Sequence, residues 1–168
     1  MSAKMQLAPG DSHVGRVGTP GELIPVTLTL DTSAYASGDV IADTQPIPNA
    51  MRFPGGTGTL ISITIIDKDD QGAAFTVFIL DQPWSLGAEN GAPSIADLQA
   101  EAILGWVDFA TTDYKDVTAS KIGCVKGIGL EVKAAPNSRD LYVAVMNSTG
   151  TPTYSANGMI FKFGFLQD

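Results

Sequence analysis

The chain has 168 residues, 44% of them apolar and 17% charged, with a net charge of −8. That length fits one domain, and the low charge density excludes a disordered polyelectrolyte. Basic residues are scattered; Lys121, Lys126 and Lys133 come closest to a cluster, and their spacing makes no phosphate-tracking stripe, so no nucleic-acid partner is expected.

Residues 1–22 carry Pro9, Pro20, Gly10, Gly15, Gly18 and Gly21 and no sustained periodicity, and read as an extended N-terminal arm. Met1 to Gly15 holds no apolar signal core, and no later segment approaches the roughly eighteen apolar residues of a membrane span. The expectation is therefore no membrane and synthesis in a cytoplasm. Residues 23–168 read as the folded domain. Val26, Leu28 and Leu30 alternate with Thr27 and Thr29, the pattern of a half-buried antiparallel strand. Ser37-Gly38-Asp39 predicts a turn before a short strand at Val40-Ile41. Pro46 and Pro48 confine the next piece to an edge or a loop. Met51-Arg52-Phe53 is a short strand candidate, ended by Pro54-Gly55-Gly56.

Leu60–Ile66 is a strong strand candidate, with Ile61, Ile63 and Ile65 assigned to one face. Phe75–Leu80 is another, apolar on both faces apart from Thr76. Between them runs Asp67-Lys68-Asp69-Asp70-Gln71-Gly72, which starts like a calcium loop. Such a loop needs a carboxylate at its twelfth position, which here is Phe78, and helices on both sides, where strands stand. The segment reads instead as a metal-independent hairpin between adjacent strands, with Gly72 at positive φ. At most Asp67, Asp69 and Asp70 offer a weak, adventitious calcium site.

The sole helix candidate is Ile95–Glu101, capped by Ser94, within a long connection over 81–101. Strands resume at Ile103–Phe109, Lys121–Val125, Leu130–Lys133, Leu141–Met146 and Met159–Phe165. In the last, Met159, Phe161, Phe163 and Phe165 share a face and read as core. Cys124, in its strand-like context, reads as a small buried side chain; one cysteine supports no internal disulfide. The fold class expected is all-β: an antiparallel β-sandwich, in its preferred version a jelly roll, with one short helix.

Residue chemistry points away from an enzyme and from any cofactor. The one histidine, His13, lies in the arm, where no packing would hold a catalytic base. One histidine and one cysteine are too few for a transition-metal site. The glycine-rich pieces at Gly18–Gly21 and Gly55–Gly58 lack the lysine and following helix of a phosphate loop. Trp84 and Trp106 suit packing better than a sugar platform. A carboxylate pair for glycoside hydrolysis is a spatial feature that a linear sequence does not display.

Five phrases carry a family resemblance: HVGRVG from His13, LTLDTSAYASGDVI from Leu28, IIDKDDQGAAFTVFILD from Ile65, SIADLQAEAILGWV from Ser94 and LYVAVMNSTGTPTY from Leu141. Together the chain resembles small virion structural proteins of tailed bacteriophages, and among their roles capsid decoration (cement) proteins. The resemblance implies a homotrimer on the capsid surface of the virion, bound to the major capsid protein and made in the host bacterial cytoplasm. The arm residues Met5, Leu7, His13, Val14, Arg16 and Val17 are the candidate capsid contacts, through strand pairing and shallow pockets. A tail or baseplate component binding a host glycan or receptor is the alternative, and a depolymerising tail glycosidase a third class.

Overall fold

The computed structural model describes residues 21–168. Two antiparallel sheets pack face to face as a β-sandwich. The first has the order β1-β9-β3-β7-β6, with β1 Gly21–Thr27, β3 Thr57–Asp67, β6 Tyr114–Asp116, β7 Lys121–Lys133 and β9 Met159–Gln167. The second has the order β2-β8-β4-β5, with β2 Val40–Ile47, β4 Phe75–Leu80, β5 Ile103–Phe109 and β8 Leu141–Asn147. The pairs nest: β1 with β9, β2 with β8, β3 with β7 and β4 with β5. The candidate arm residues Met5, Leu7, His13, Val14, Arg16 and Val17 lie outside the described residues; the chain joins the sandwich at Gly21, opposite Leu166.

The core forms where the alternations meet. Met159, Phe161, Phe163 and Phe165 are all fully buried, as their spacing requires. Phe161 and Phe163 stack with centroids 5.9 Å apart, and Phe163 and Phe165 at 6.4 Å. Val26, Leu28 and Leu30 point inward from the first edge, and Phe75, Val77, Ile79, Val143 and Val145 face them from the second sheet. The edge positions of β1 and β2 accommodate Pro25 and Pro46, which donate nothing to a ladder.

Several expectations need correction. The 67–74 segment is no hairpin: β3 and β4 lie in different sheets, so it arches across the end of the sandwich. Both flanking strands have better partners, since β3 is the sheet's centre and β4 pairs with β5 and β8. Ile61 leaves the inner face. A bulge between Leu60 and Ser62 inserts one residue against β9, so the inward set runs Leu60, then Ile63 and Ile65. Lys121–Val125 and Leu130–Lys133 are one strand, β7, bent at Gly127 and Gly129, each with φ +70. Met51-Arg52-Phe53 is a bend, not a strand. Ser94 caps nothing; helix α1 is Asp97–Ala100, and the Gln99 side chain accepts from the Ala96 N–H at 2.9 Å.

The connection between β4 and β5 does structural work of its own. Val40 donates to the Gly91 carbonyl and accepts from the Asn90 N–H, at 2.8 and 2.9 Å, tying the connection to β2. Asp43 accepts from the Leu86 N–H and the Ser85 hydroxyl, both at 2.8 Å. Leu86 thereby covers Val40, Leu80 and Ala144 on the outer face of the four-stranded sheet. The outer faces of β4 and β8 thus find part of their cover within the chain.

Candidate functional site

The acidic stretch builds a turn. Asp67 is fully buried at the inward end of β3. Its Oδ1 accepts from the Asp69 N–H at 3.0 Å and its Oδ2 from the Gly72 N–H at 2.7 Å. Gly72 has φ +61, the conformation expected of it. Asp69 Oδ2 turns away to the Ser155 N–H and hydroxyl, at 2.9 and 3.0 Å. Asp70 Oδ1 lies 3.2 Å from Lys121 Nζ. The three carboxylates thus serve three separate partners, and no cluster of three metal-ligating side chains occurs among the described residues.

Burial dominates the electrostatics of this end of the core. It raises the Asp67 carboxyl above the usual range, against the lowering effect of the backbone donors Gly72, Asp69 and Gln71. Tyr114 and Tyr154 are pushed far up, first by burial and then by the charge of Asp67. Their hydroxyls have no protein partner. Tyr35, buried and near Glu89, is pushed up to about 12, while its hydroxyl donates to the Asp31 carbonyl at 2.9 Å. These groups take part in core packing and in the geometry of the turn.

The described residues shape several surface depressions. One, of about 560 Å³, opens between β3, β5 and β7 and includes Thr57, Leu104, Glu131, Lys133 and Asp168. There the Thr57 hydroxyl donates to Asp168 Oδ2 at 2.6 Å, a tie between chain end and β3. A second, about 290 Å³, lies between Gln71-Gly72-Ala73 and Thr149–Pro152. A third, about 220 Å³, brings Trp84, Leu98, Asp81, Gln82 and Glu101 together. Burial raises the Asp81 carboxyl, and its Oδ1 has no protein partner.

Both tryptophans were expected to pack, and both are exposed: Trp84 at 42% and Trp106 at 63%. Trp106 stands on the outward phase of β5, beside Phe78. Alternation within Ile103–Phe109 puts Val107 and Phe109 inside, which forces Trp106 out. Cys124, expected to be buried, is half-buried on the outer face of the five-stranded sheet, 3.5 Å from the Thr64 hydroxyl, because Gly123 and Val125 take the inward phase. No protein-family profile matches the chain, and no curated protein matches it at significance.

Proposed function

We propose that the chain is a non-enzymatic structural protein of a phage virion, a capsid decoration protein that binds the outside of the head and stabilises it as a trimer. The observation that carries most weight is the nested pairing of first strand with last, second with second-last, and so inward. A single long hairpin wrapped into two sheets is a jelly roll, and we assign that topology, with β6 as an added short strand. Such a block is rigid and holds its surfaces in fixed relation, which suits a staple between capsomers. The phrase-level resemblance supplies the virion context.

The test is co-sedimentation of the purified chain with heads lacking it, followed by heat or chelator challenge of the heads. Saturable binding that raises the temperature of genome release supports the reading. Heads that neither bind the chain nor gain stability overturn it.

A second reading has its own observation. Trp84 beside Asp81, Gln82 and Glu101 combines an apolar ring with hydrogen-bonding groups in one shallow depression, a composition that suits a sugar ring. This supports a tail or baseplate component binding a host glycan. Retention of the chain on host cells, lost on Trp84→Ala, would favour it over decoration.

A further inference from the structure

We infer that the outer face of the five-stranded sheet is the docking face of this protein, and that its partner is an acidic protein surface. Cross-strand register defines the face. Thr27, Ile160, Ile66, Ile122 and Lys115 form one outward row. Pro25, Lys162, Thr64 and Cys124 form the next, and Leu23, Gly164, Ser62 and Lys126 the third. None of these rows contains a carboxylate; the row beyond them adds Glu131 at the rim, level with Leu166. Leu23, Ile122 and Leu166 are exposed there, at 59%, 37% and 36%.

The other sheet is the electrical opposite. β2, β4, β5 and β8 contain no lysine or arginine. Asp43 and Asp108 lie on them, and the connection above adds Asp81, Glu89, Asp97 and Glu101. In a chain with 18 carboxylates and 10 basic side chains, ion pairing within the molecule would be easy. Yet Lys121–Asp70 is the one ion pair among the described residues, and Lys115, Lys126 and Lys162 pair with no described carboxylate. Lysines gathered on one apolar-dotted face and making no ion pair with a described carboxylate complement a partner of opposite sign.

Other occupants fit less well. Lys115, Lys162 and Lys126 stand in three different rows and form no continuous stripe that could track the phosphates of a nucleic acid. A second copy could offer its acidic face, but opposed faces of one sandwich stack into an open chain and do not close a ring. Under the decoration reading, on which the choice of the head as partner rests, this face meets the head and the acidic sheet faces solvent.

The experiment measures co-sedimentation of the full chain with purified heads and, separately, purified tails, both lacking the chain. Three proteins are compared: the native chain, Lys126→Glu/Lys162→Glu, and Trp106→Ser on the opposite sheet, each checked for an unchanged melting temperature. The expected result is binding that weakens at least tenfold in the double reversal, weakens as salt rises, and is unaltered in Trp106→Ser. If that pattern is found with tails and not heads, the decoration reading falls and the docking face stands. If heads bind the double reversal as tightly as the native chain, or Trp106→Ser abolishes binding, the docking face is overturned and the decoration reading survives. Binding to neither particle overturns both. Concentration-dependent self-stacking abolished by the double reversal would make a second copy the occupant and overturn the assignment of an external partner.

Discussion

On the four-stranded sheet the outward side chains Val40, Leu80 and Ala144 are buried beneath Leu86; on the five-stranded sheet the outward row Ile160, Ile66 and Ile122 is left half-buried or exposed. Both sheets share one core, so the difference arises outside it. The β4–β5 connection is long enough to fold back over its own sheet, and Asp43 and the backbone of Val40 hold it there. Among the described residues no connection is packed over the outward Ile160, Ile66 and Ile122 in the same way. An apolar outward residue is therefore closed off by whichever segment can reach it, and where none reaches, the surface stays available to something else.

The inner face should carry the largest energies. Phe163 sits mid-row between Phe161 and Phe165 with no exposure. Phe163→Ala should cost about 3–5 kcal/mol in chemical denaturation, since the close-packed row cannot collapse around the cavity. A loss well under that would mean that the two sheets pack loosely. The outer cover should be worth less. Leu86→Ala should cost about 2 kcal/mol, at the low end for a buried leucine, because water can enter from the rim. Hydrogen exchange should then rise in the 81–102 connection while the β9 amides stay protected. If β9 loses protection equally, the cover and the core are one cooperative unit.

Asp67 tests the crossover loop, and its pH dependence has a definite sign. The folded carboxyl titrates above the ordinary value of 3.8 because burial outweighs the backbone donors. The folded state therefore holds the proton more tightly than the unfolded state. This contribution to stability is fully present below pH 3.8 and is lost as pH rises through the raised folded value. Asp67→Asn removes that slope. It should cost about 1–2 kcal/mol overall, since the amide nitrogen cannot accept from the Gly72 N–H. Urea denaturation across pH 3–7 should show the gap between native and variant widening toward acid. A gap that widens toward neutral pH would show that the N–H donors dominate burial.

The smallest effect belongs to the exposed side of the four-stranded sheet. Trp106→Ser should change stability by no more than about 0.5 kcal/mol, because the side chain is mostly in solvent. A larger loss would mean that its packing on Phe78 matters, and would bring the two outer faces closer together in kind.

Local pattern was a sound guide wherever a strand had one buried face. The β9 stripe and the Val26–Leu30 alternation follow from a side-chain period of two against a single core. Among the described residues the one α-helix, Asp97–Ala100, lies in the long connection where a helix was expected. The errors sit where one residue changes the phase or where a partner is distant in sequence. The Leu60/Ser62 bulge reversed the role of Ile61, and the outward phase of β5 exposed Trp106. The acidic loop was misread as a hairpin because strength of neighbouring strands says nothing about which sheet each one joins.

Composition and alternation by themselves determined the all-β class, the aromatic core row and the turn glycines Gly38 and Gly72, because each depends on side chains within a few residues. Only the tertiary structure decided the division into two sheets, the nested pairing, the cover over the four-stranded sheet and the gathering of Lys115, Lys126 and Lys162 onto one face. Those lysines come from three strands spread along the second half of the chain. Their proximity comes from hydrogen-bonded register between strands, which no local window of sequence contains.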